Sequence, residues 1–399
     1  MLFLIFAFVG FSFLAVSGIN YITDFLLLSF MLYAFELSGE HPQLPAAEVL
    51  SVLTSRGLET FVFEAYLNCL VVDISSPDPA VADDEIFQML KEEMPDVLAM
   101  THSISKVIDI ADVSEEAILG AAEKFRAADY LDEGETFVVR AKRAGDNFVL
   151  KSVDLEGRVG GCIYRQGFRA SLKNADKVFR LTLTDKAIFG LLVSAVDRGA
   201  YEFRSPQKKP FFYPGVLMPR VARALCNIAG VQAGTIAVDP FCGTAGILLE
   251  AGLLGAKVIG VDAQEKIIAG ADSNMGGYSK STGRLLSKEE RCLGTDLPDY
   301  DLFTGDACGL PLADNIADAV ITDPPYGRSA AIKAESLERL YAQSFKEMYR
   351  ILKPGKKAVV VSEIEVGDFA SDAGFEIENV YKQRVHRSLT RTISVLIKK

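Results

Sequence analysis

No two cysteines in this chain have the CxxC spacing, and histidine occurs only three times in 399 residues. Zinc centres need thiolates and imidazoles in clusters, so no metal site is expected. The six scattered cysteines (Cys69, Cys162, Cys226, Cys242, Cys292 and Cys308) give no disulfide framework. A reduced, cytoplasmic protein is the expectation. Positive charge is also in deficit: 42 Lys and Arg against 53 Asp and Glu give a formal net charge of -11, which excludes a protein that coats nucleic acid through its overall field. Internal repeats and low-complexity segments are absent.

Basic residues are missing altogether before Arg56. Residues 1–30 are apolar and long enough to cross a bilayer, with Asp24 their only charge, but a signal peptide or an oriented anchor carries flanking Lys or Arg. Met31 then opens MLYAFELSGEHPQLP, an ordinary start for a soluble chain. We expect translation to begin at Met31, with no obligate membrane association; a genuine anchor is the alternative.

What the chain has in quantity is 49% hydrophobic residues, enough for more than one packed core. Residues 31–78 alternate strand-like and helical patterns (LYAFEL, PAAEVLSVLTSRG, FVFEAYLNCLVVDI), as in a small α+β unit. The mixed pattern continues over 79–190. A Pro-, Lys- and aromatic-rich stretch marks a linker, placed at 191–214. From 215 to 399 short β-branched runs (TIAVD, KVIGVD, DAVITD, KAVVVSE) alternate with helical segments, the pattern of a doubly wound parallel sheet, and the tail reads as a final antiparallel pair. Two basic patches stand out on this acidic chain. Residues 140–186 hold eleven basic residues against five acidic, and 380–399 hold six against none. Each alone reads as a solvated face; together they suggest an extended anionic ligand.

Three of the β-branched runs end in aspartate: Asp239, Asp262 and Asp323. In open α/β sheets ligands bind at such carboxyl ends. The first run enters Asp239-Pro240-Phe241-Cys242-Gly243-Thr244-Ala245-Gly246, which lacks the GxGxxG of dinucleotide sites. An acid there would repel a pyrophosphate and suits a cationic amino-acid moiety, as in S-adenosyl-L-methionine. Asp262 is placed for two ribose hydroxyls and Asp306 for an adenine amino group. A lone Asp after a strand is more often a turn residue. The third run enters Asp323-Pro324-Pro325-Tyr326. A conjugated exocyclic amine is a poor nucleophile; the Asp323 carboxylate and Pro324 carbonyl can grip its two N–H bonds, Pro325 keeps the backbone extended, and Tyr326 offers a ring for stacking.

DPFCGTAGILLEAG, GVDAQ, GDACGLPL and TDPPYGRS together resemble the archaeal tRNA guanine-N2 methyltransferases that modify position 10. The likeness extends to FELSGEHPQLPAAE, KKPFFYPGVLMPRVARAL and HRSLTRTISVL, and covers Met31 to Lys399. It implies an α/β protein: an N-terminal ferredoxin-like unit (31–78), a THUMP RNA-binding domain (79–190), and a Rossmann-like class I methyltransferase domain with a seven-stranded, mostly parallel sheet (215–399). It implies catalysis by Asp323, Pro324, Pro325 and Tyr326, and cofactor contacts from Asp239, Phe241, Gly243, Thr244, Gly246, Asp262, Ala263, Asp306 and Ala307. It implies a tRNA partner bound by a monomer, for which the candidate contacts are Arg140, Lys142, Arg143, Arg165, Arg169, Lys173, Arg384, His386 and Arg387. Mono- then dimethylation rests on the resemblance alone; another tRNA or rRNA guanine, or a non-catalytic RNA-binding partner, is the alternative. Where the family more often has G-T-G-G, Ala245 stands here, which matters if that backbone needs a positive φ.

Overall fold

The computed structural model describes residues 31–78, 81–144, 151–287, 290, 296–326, 334–386 and 389–399. The apolar segment 1–30 and Arg387 therefore lie outside the described residues, as does the His386 side chain. No helix among the described residues is long and apolar enough to cross a membrane.

The first lobe runs β1 (Leu32–Leu37), α1 (Leu44–Ser55), β2 (Glu59–Tyr66), β3 (Cys69–Ser75), α2 (Asp83–Glu92), β4 (Thr101–Ala111), α3 (Glu115–Lys124), β5 (Thr136–Arg143), α4 (Ser152–Tyr164), β6 (Arg169–Ala170), β7 (Lys177–Leu183) and β8 (Ala187–Ala195). Its strands form one eight-stranded sheet in the order β2-β3-β1-β4-β8-β7-β5-β6. The two units read from the sequence as 31–78 and 79–190 therefore share a sheet. The eleven-residue β4 joins them, pairing Thr101–Lys106 with β1 and Ser103–Ala111 with β8. β8 continues to Ala195, so the linker expected from residue 191 starts inside a strand.

Local chemistry sets the helix starts. Ser114 caps α3 by accepting the Ala117 N–H at 3.1 Å, and Glu115 and Glu116 follow in the first turn, where the helix dipole favours them. At α1 the cap is His41, whose Nδ1 accepts from the Gln43 and Leu44 N–H groups, both at 3.0 Å. Its Nε2 must then carry the proton, and it donates to the Lys382 carbonyl 341 residues away at 3.2 Å.

The second lobe runs α5 (Pro219–Ile228), β9 (Ile236–Asp239), α6 (Gly246–Leu253), β10 (Lys257–Asp262), α7 (Glu265–Met275), β11 (Asp299–Thr304), β12 (Ala317–Thr322), α8 (Ala334–Ile351), β13 (Leu352–Ser362), α9 (Gly367–Ala373), β14 (Glu376–His386) and β15 (Leu389–Ile397). Seven strands lie in the order β11-β10-β9-β12-β13-β15-β14, parallel from β11 to β13 and antiparallel over β13-β15-β14. The chain order reverses between β9 and β12, making the crevice at their carboxyl ends the topological switch point. α6 packs close over β10 because residue 260 is glycine: a Cβ there would lie 2.5 Å from Leu248 and 2.7 Å from Leu302. The sequence reading missed β11, whose DYDLFT is an edge strand with mostly exposed side chains and no β-branched run.

The lobes meet through α1 and α5. Leu44 and Met100 of the first lobe pack into the same apolar cluster as Val221, Leu225 and Ile228. Buried Glu48 of α1 accepts from the Ala99 and Met100 N–H groups at 2.9 and 2.8 Å and from Asn227 Nδ2 at 2.7 Å. Beside this junction Glu250, a buried acid in the apolar helix α6, binds two guanidiniums from separate segments: Arg204 Nε at 2.7 Å and Arg223 Nε at 3.0 Å. All three side chains are almost fully buried, and Arg223 Nη1 also donates to the Asp96 carbonyl at 3.1 Å. Removing one partner of such a cluster strands the others' charge. Glu250→Ala should lower the free energy of unfolding by about 3–5 kcal/mol, measured by guanidinium denaturation, and a loss below about 1 kcal/mol would contradict this account.

Candidate functional site

Four acids line the carboxyl edge of the second sheet: Asp239 ends β9, Asp262 ends β10, Asp306 follows β11 and Asp323 follows β12. The first three share one local geometry. Oδ1 of each accepts the N–H two residues on, from Phe241 at 3.0 Å, Gln264 at 2.9 Å and Cys308 at 2.9 Å. Each acid thus fills an ordinary turn role with one oxygen and keeps Oδ2 outside the turn. Asp239 is buried, Asp262 half-buried and Asp306 exposed. Thr322 Oγ1 donates to Asp239 Oδ1 at 2.6 Å, bridging β12 to β9 across the switch point. Burial pushes the Asp239 carboxyl up to about 7, although its hydrogen bonds with Thr322 and Phe241 act the other way.

The loop after Asp239 carries Phe241, half-buried, then Gly243 at φ +50° and Thr244, whose carbonyl accepts from Asn274 Nδ2 at 2.9 Å. Asn274 also holds the Phe211 N–H at 2.8 Å and the Phe211 carbonyl at 2.9 Å, so the connector between the lobes is pinned to this loop. Ala245 is left-handed, at φ 59° and ψ 33°, immediately before Gly246 opens α6. That conformation costs an alanine about 1–2 kcal/mol. Its methyl is fully buried, which returns about 0.8 kcal/mol, so the replacement of glycine here is nearly balanced. Ala263 is exposed beside Asp262, and Ala307 is buried beside Asp306.

Pro324 is buried, and Pro325 and Tyr326 are half-buried. The Tyr326 hydroxyl donates to Asp323 Oδ1, and Tyr341 donates to the Pro325 carbonyl at 3.4 Å. A residue to which the sequence reading gave no role completes the group. Arg391 on β15, 7% exposed, donates from Nε to the Tyr326 hydroxyl at 3.1 Å and from Nη2 to the Gly215 carbonyl at 3.1 Å, with Nη2 3.7 Å from Asp323 Oδ2. The available signal was an arginine inside an otherwise buried strand, LTRTISVLI, since a buried guanidinium requires an acceptor. Burial pushes the Asp323 carboxyl up to about 6, with the Arg391 charge and the Tyr326 hydrogen bond working against it.

Residues 206–393 match the RMKL-like methyltransferase domain and residues 113–189 match the THUMP domain. The tRNA (guanine(10)-N2)-dimethyltransferase of Methanothermobacter thermautotrophicus is 33% identical over 365 residues, 90% of this chain and 97% of that protein. The chain belongs to this tRNA (guanine(10)-N2)-dimethyltransferase family. The protein of the same name from Methanocaldococcus jannaschii is 27% identical, over 90% of this chain and 98% of its own length. Among solved structures, TrmN from Thermus thermophilus is 22% identical, with a TM-score of 0.48, covering 92% of this chain and all of that one.

For a member of this dimethyltransferase family the basic candidates are unevenly available. Lys142 is tied to buried Glu36, which also holds Arg180 at 2.6 Å. Arg140 bonds the Leu172 carbonyl at 2.9 Å and lies 3.5 Å from Glu156, and Arg165 reaches Cys162 Sγ at 3.2 Å. Arg143, Arg165, Arg169, Lys173 and Arg384 are exposed. Arg169 lies on β6, the edge of the first sheet, and Arg384 on β14, the edge of the second, so the candidates divide between the lobes. Among the described residues no cluster of three or more His, Cys, Asp or Glu is arranged to hold a metal.

Two outcomes check this geometry. Ala245→Val puts a β-branched side chain at positive φ in a filled core and should lower unfolding stability by about 2 kcal/mol or more in denaturant titrations, whereas a neutral valine would mean that the loop is not left-handed there. The Asp323 carboxyl, followed by carbon NMR against an Asp323→Asn control, should titrate near pH 6; Arg391→Met should move that midpoint upward by removing the charge that favours ionisation. An unchanged midpoint would place Arg391 outside the electrostatics of Asp323.

Proposed function

We propose that this chain transfers methyl groups from S-adenosyl-L-methionine to the exocyclic N2 of a guanine in tRNA, at position 10, in two successive rounds. The observation that carries the reading is the Asp323–Tyr326 turn at the switch point, beside a glycine loop and linked to Asp239 through Thr322. The donor set fits the cofactor. Asp239 would face the cationic amino group, the free oxygen of Asp262 the ribose hydroxyls and Asp306 the adenine amine, with Phe241, Gly243, Thr244, Gly246, Ala263 and Ala307 forming the walls. S-adenosyl-L-methionine supplies an electrophilic methyl group on a sulfonium.

The chain's own residues prepare the nucleophile. The N2 lone pair of guanine is delocalised into the ring. Accepting its two N–H bonds at the Asp323 carboxylate and the Pro324 carbonyl favours a more tetrahedral nitrogen with its lone pair directed at the methyl carbon. In the free protein the Tyr326 hydroxyl occupies Asp323 Oδ1. The amine displaces that hydroxyl, which retains Arg391 Nε as a partner, and the phenol ring is left to stack on the flipped base. The methylated nitrogen sheds its proton without a strong base, with the Asp323 carboxylate beside it. Because the same acceptors serve a monomethylated amine through its remaining N–H, a second round uses the same clamp. Exposed Arg143, Arg165, Arg169, Lys173 and Arg384 supply tRNA contacts from both lobes.

The deciding experiment incubates the protein starting at Met31 with S-adenosyl-L-methionine and an unmodified tRNA transcript, and maps the methylated nucleosides by mass spectrometry. N2-methylguanosine and its dimethyl form at position 10 are expected; methylation elsewhere would overturn the site assignment, and none would overturn the activity. Asp323→Ala should reduce turnover by at least about a hundredfold while cofactor binding survives. Tyr326→Ala should lose about tenfold to a hundredfold in kcat/KM, and Tyr326→Phe should stay within a few-fold, because the ring and not the hydroxyl meets the base. An ionised Asp323 accepts an N–H much more strongly than a protonated one, and burial pushes its carboxyl up to about 6 in the free protein; kcat/KM should therefore rise as pH increases through about 6 and level off above it.

A further inference from the structure

We propose that Phe212 and Tyr213, in the connector between the lobes, form a stacking platform for the nucleotide next to the target guanine. This rests on the reading that a guanine of tRNA is drawn to the Asp323–Tyr326 turn.

The connector holds both rings in the open. Phe212 is 48% exposed and Tyr213 51%, whereas Phe211 before them packs on α7 so closely that a Cβ at residue 270 would overlap its ring. Single exposed apolar residues are ordinary on a protein surface. What separates this pair is how firmly its segment is held. On one side Asn274 takes the Phe211 N–H at 2.8 Å and donates to the Phe211 carbonyl at 2.9 Å; on the other, Arg391 Nη2 donates to the Gly215 carbonyl at 3.1 Å. Pro210 and Pro214 flank the three aromatics and fix φ at both positions.

The same anchors fix where the rings stand. Arg391 bonds the Tyr326 hydroxyl through Nε as it bonds Gly215 through Nη2, so one planar guanidinium sets the separation between the end of the aromatic stretch and the Asp323 turn. Asn274 in turn ties Phe211 to the loop after Asp239, through the Thr244 carbonyl at 2.9 Å. Phe212 and Tyr213 therefore occupy the stretch of chain that runs between that loop and the Asp323 turn.

The chemistry of the target selects a nucleobase as the occupant. Withdrawing a guanine from its stack leaves the adjoining base with one face uncovered, and an aromatic ring can cover that face whatever the base is. Positive charge for the backbone is at hand. Exposed Arg384 on β14 pairs with Thr390, the residue before Arg391, and in the connector itself exposed Lys208 stands 5.8 Å from the ring centroid of exposed Phe203. Rings interleaved with cations suit unpaired RNA better than an apolar protein partner, which would have to leave before the guanine could enter.

The test reads stacking apart from cofactor binding. Wild type is compared with a double alanine variant (Phe212→Ala with Tyr213→Ala) and with a ring-keeping variant (Phe212→Tyr with Tyr213→Phe), by kcat/KM for a tRNA transcript and by calorimetric affinity for S-adenosylhomocysteine. We expect the alanine variant to lose about tenfold or more in kcat/KM and the ring-keeping variant to recover most of that loss, with S-adenosylhomocysteine affinity within about twofold throughout. Transcripts carrying 2-aminopurine immediately 5′ or 3′ of the target guanine then report the contact. At saturating protein one of the two should fluoresce more brightly with the alanine variant than with wild type, because a stacked 2-aminopurine is quenched. Unchanged kcat/KM in the alanine variant, an equal loss in the ring-keeping variant, or equal brightness at both positions would overturn the platform. A matching loss of S-adenosylhomocysteine affinity would also overturn it, by placing the rings against the cofactor. Failure of the wild-type chain to methylate the transcript would instead overturn the reading on which the proposal rests.

Discussion

Glu250 sits in a helix that is otherwise apolar, and the desolvation of its carboxylate is compensated only by drawing in two guanidiniums from elsewhere in the chain. Arg204 comes from the connector between the lobes, and Arg223 from α5, whose other face meets the first lobe. Because a buried acid cannot stay unpaired, these three segments have one compatible arrangement. The position of the connector follows from it. Pulled in by Arg204, the connector lays Lys209 against the first turn of α6 and Phe211 against Asn274, and then passes Gly215 beneath Arg391. The loop after Asp239 and the Asp323 turn are thereby spanned by one short stretch of chain.

At the switch point burial does the electrostatic work. Asp239 and Asp323 are both raised by desolvation, and each is kept within reach of neutral pH by hydrogen-bond donors: Thr322 and the Phe241 N–H for the first, Tyr326 with the Arg391 charge for the second. The same hydroxyl that helps to hold Asp323 ionised covers one of its acceptor oxygens. The Asp323 carboxylate is therefore hydrogen-bonded within the free protein, and in the proposed mechanism substrate binding would exchange that hydrogen bond for another.

The first lobe is a single sheet because β4 is long enough to serve two neighbours over different parts of its length. Its contact with the second lobe is partly apolar, through Leu44 and Met100, and partly polar, through Glu48, His41 and Asn227. Hydrogen bonds of fixed geometry make this junction directional, so the exposed cations of the two edge strands are carried on lobes whose relative placement is set by buried groups.

Much of this was legible in the sequence, and for a common reason. The strand runs of the second lobe, the three aspartates at their ends, the glycine loop and DPPY are local patterns whose meaning depends on period and on immediate neighbours. The turn geometry of Asp239, Asp262 and Asp306 is likewise a matter of two residues. The left-handed Ala245 was readable as a question, though its tolerance was not, because the compensating burial comes from distant core residues. What only the tertiary structure decided are the approaches across long separations: Arg391 to Tyr326 across 65 residues, Arg204 to Glu250 across 46, and Lys209 to Gly246. A buried charge is indistinguishable from a solvated one in a string of letters. Its desolvation, and so its need for a partner, exists only once the chain has folded around it.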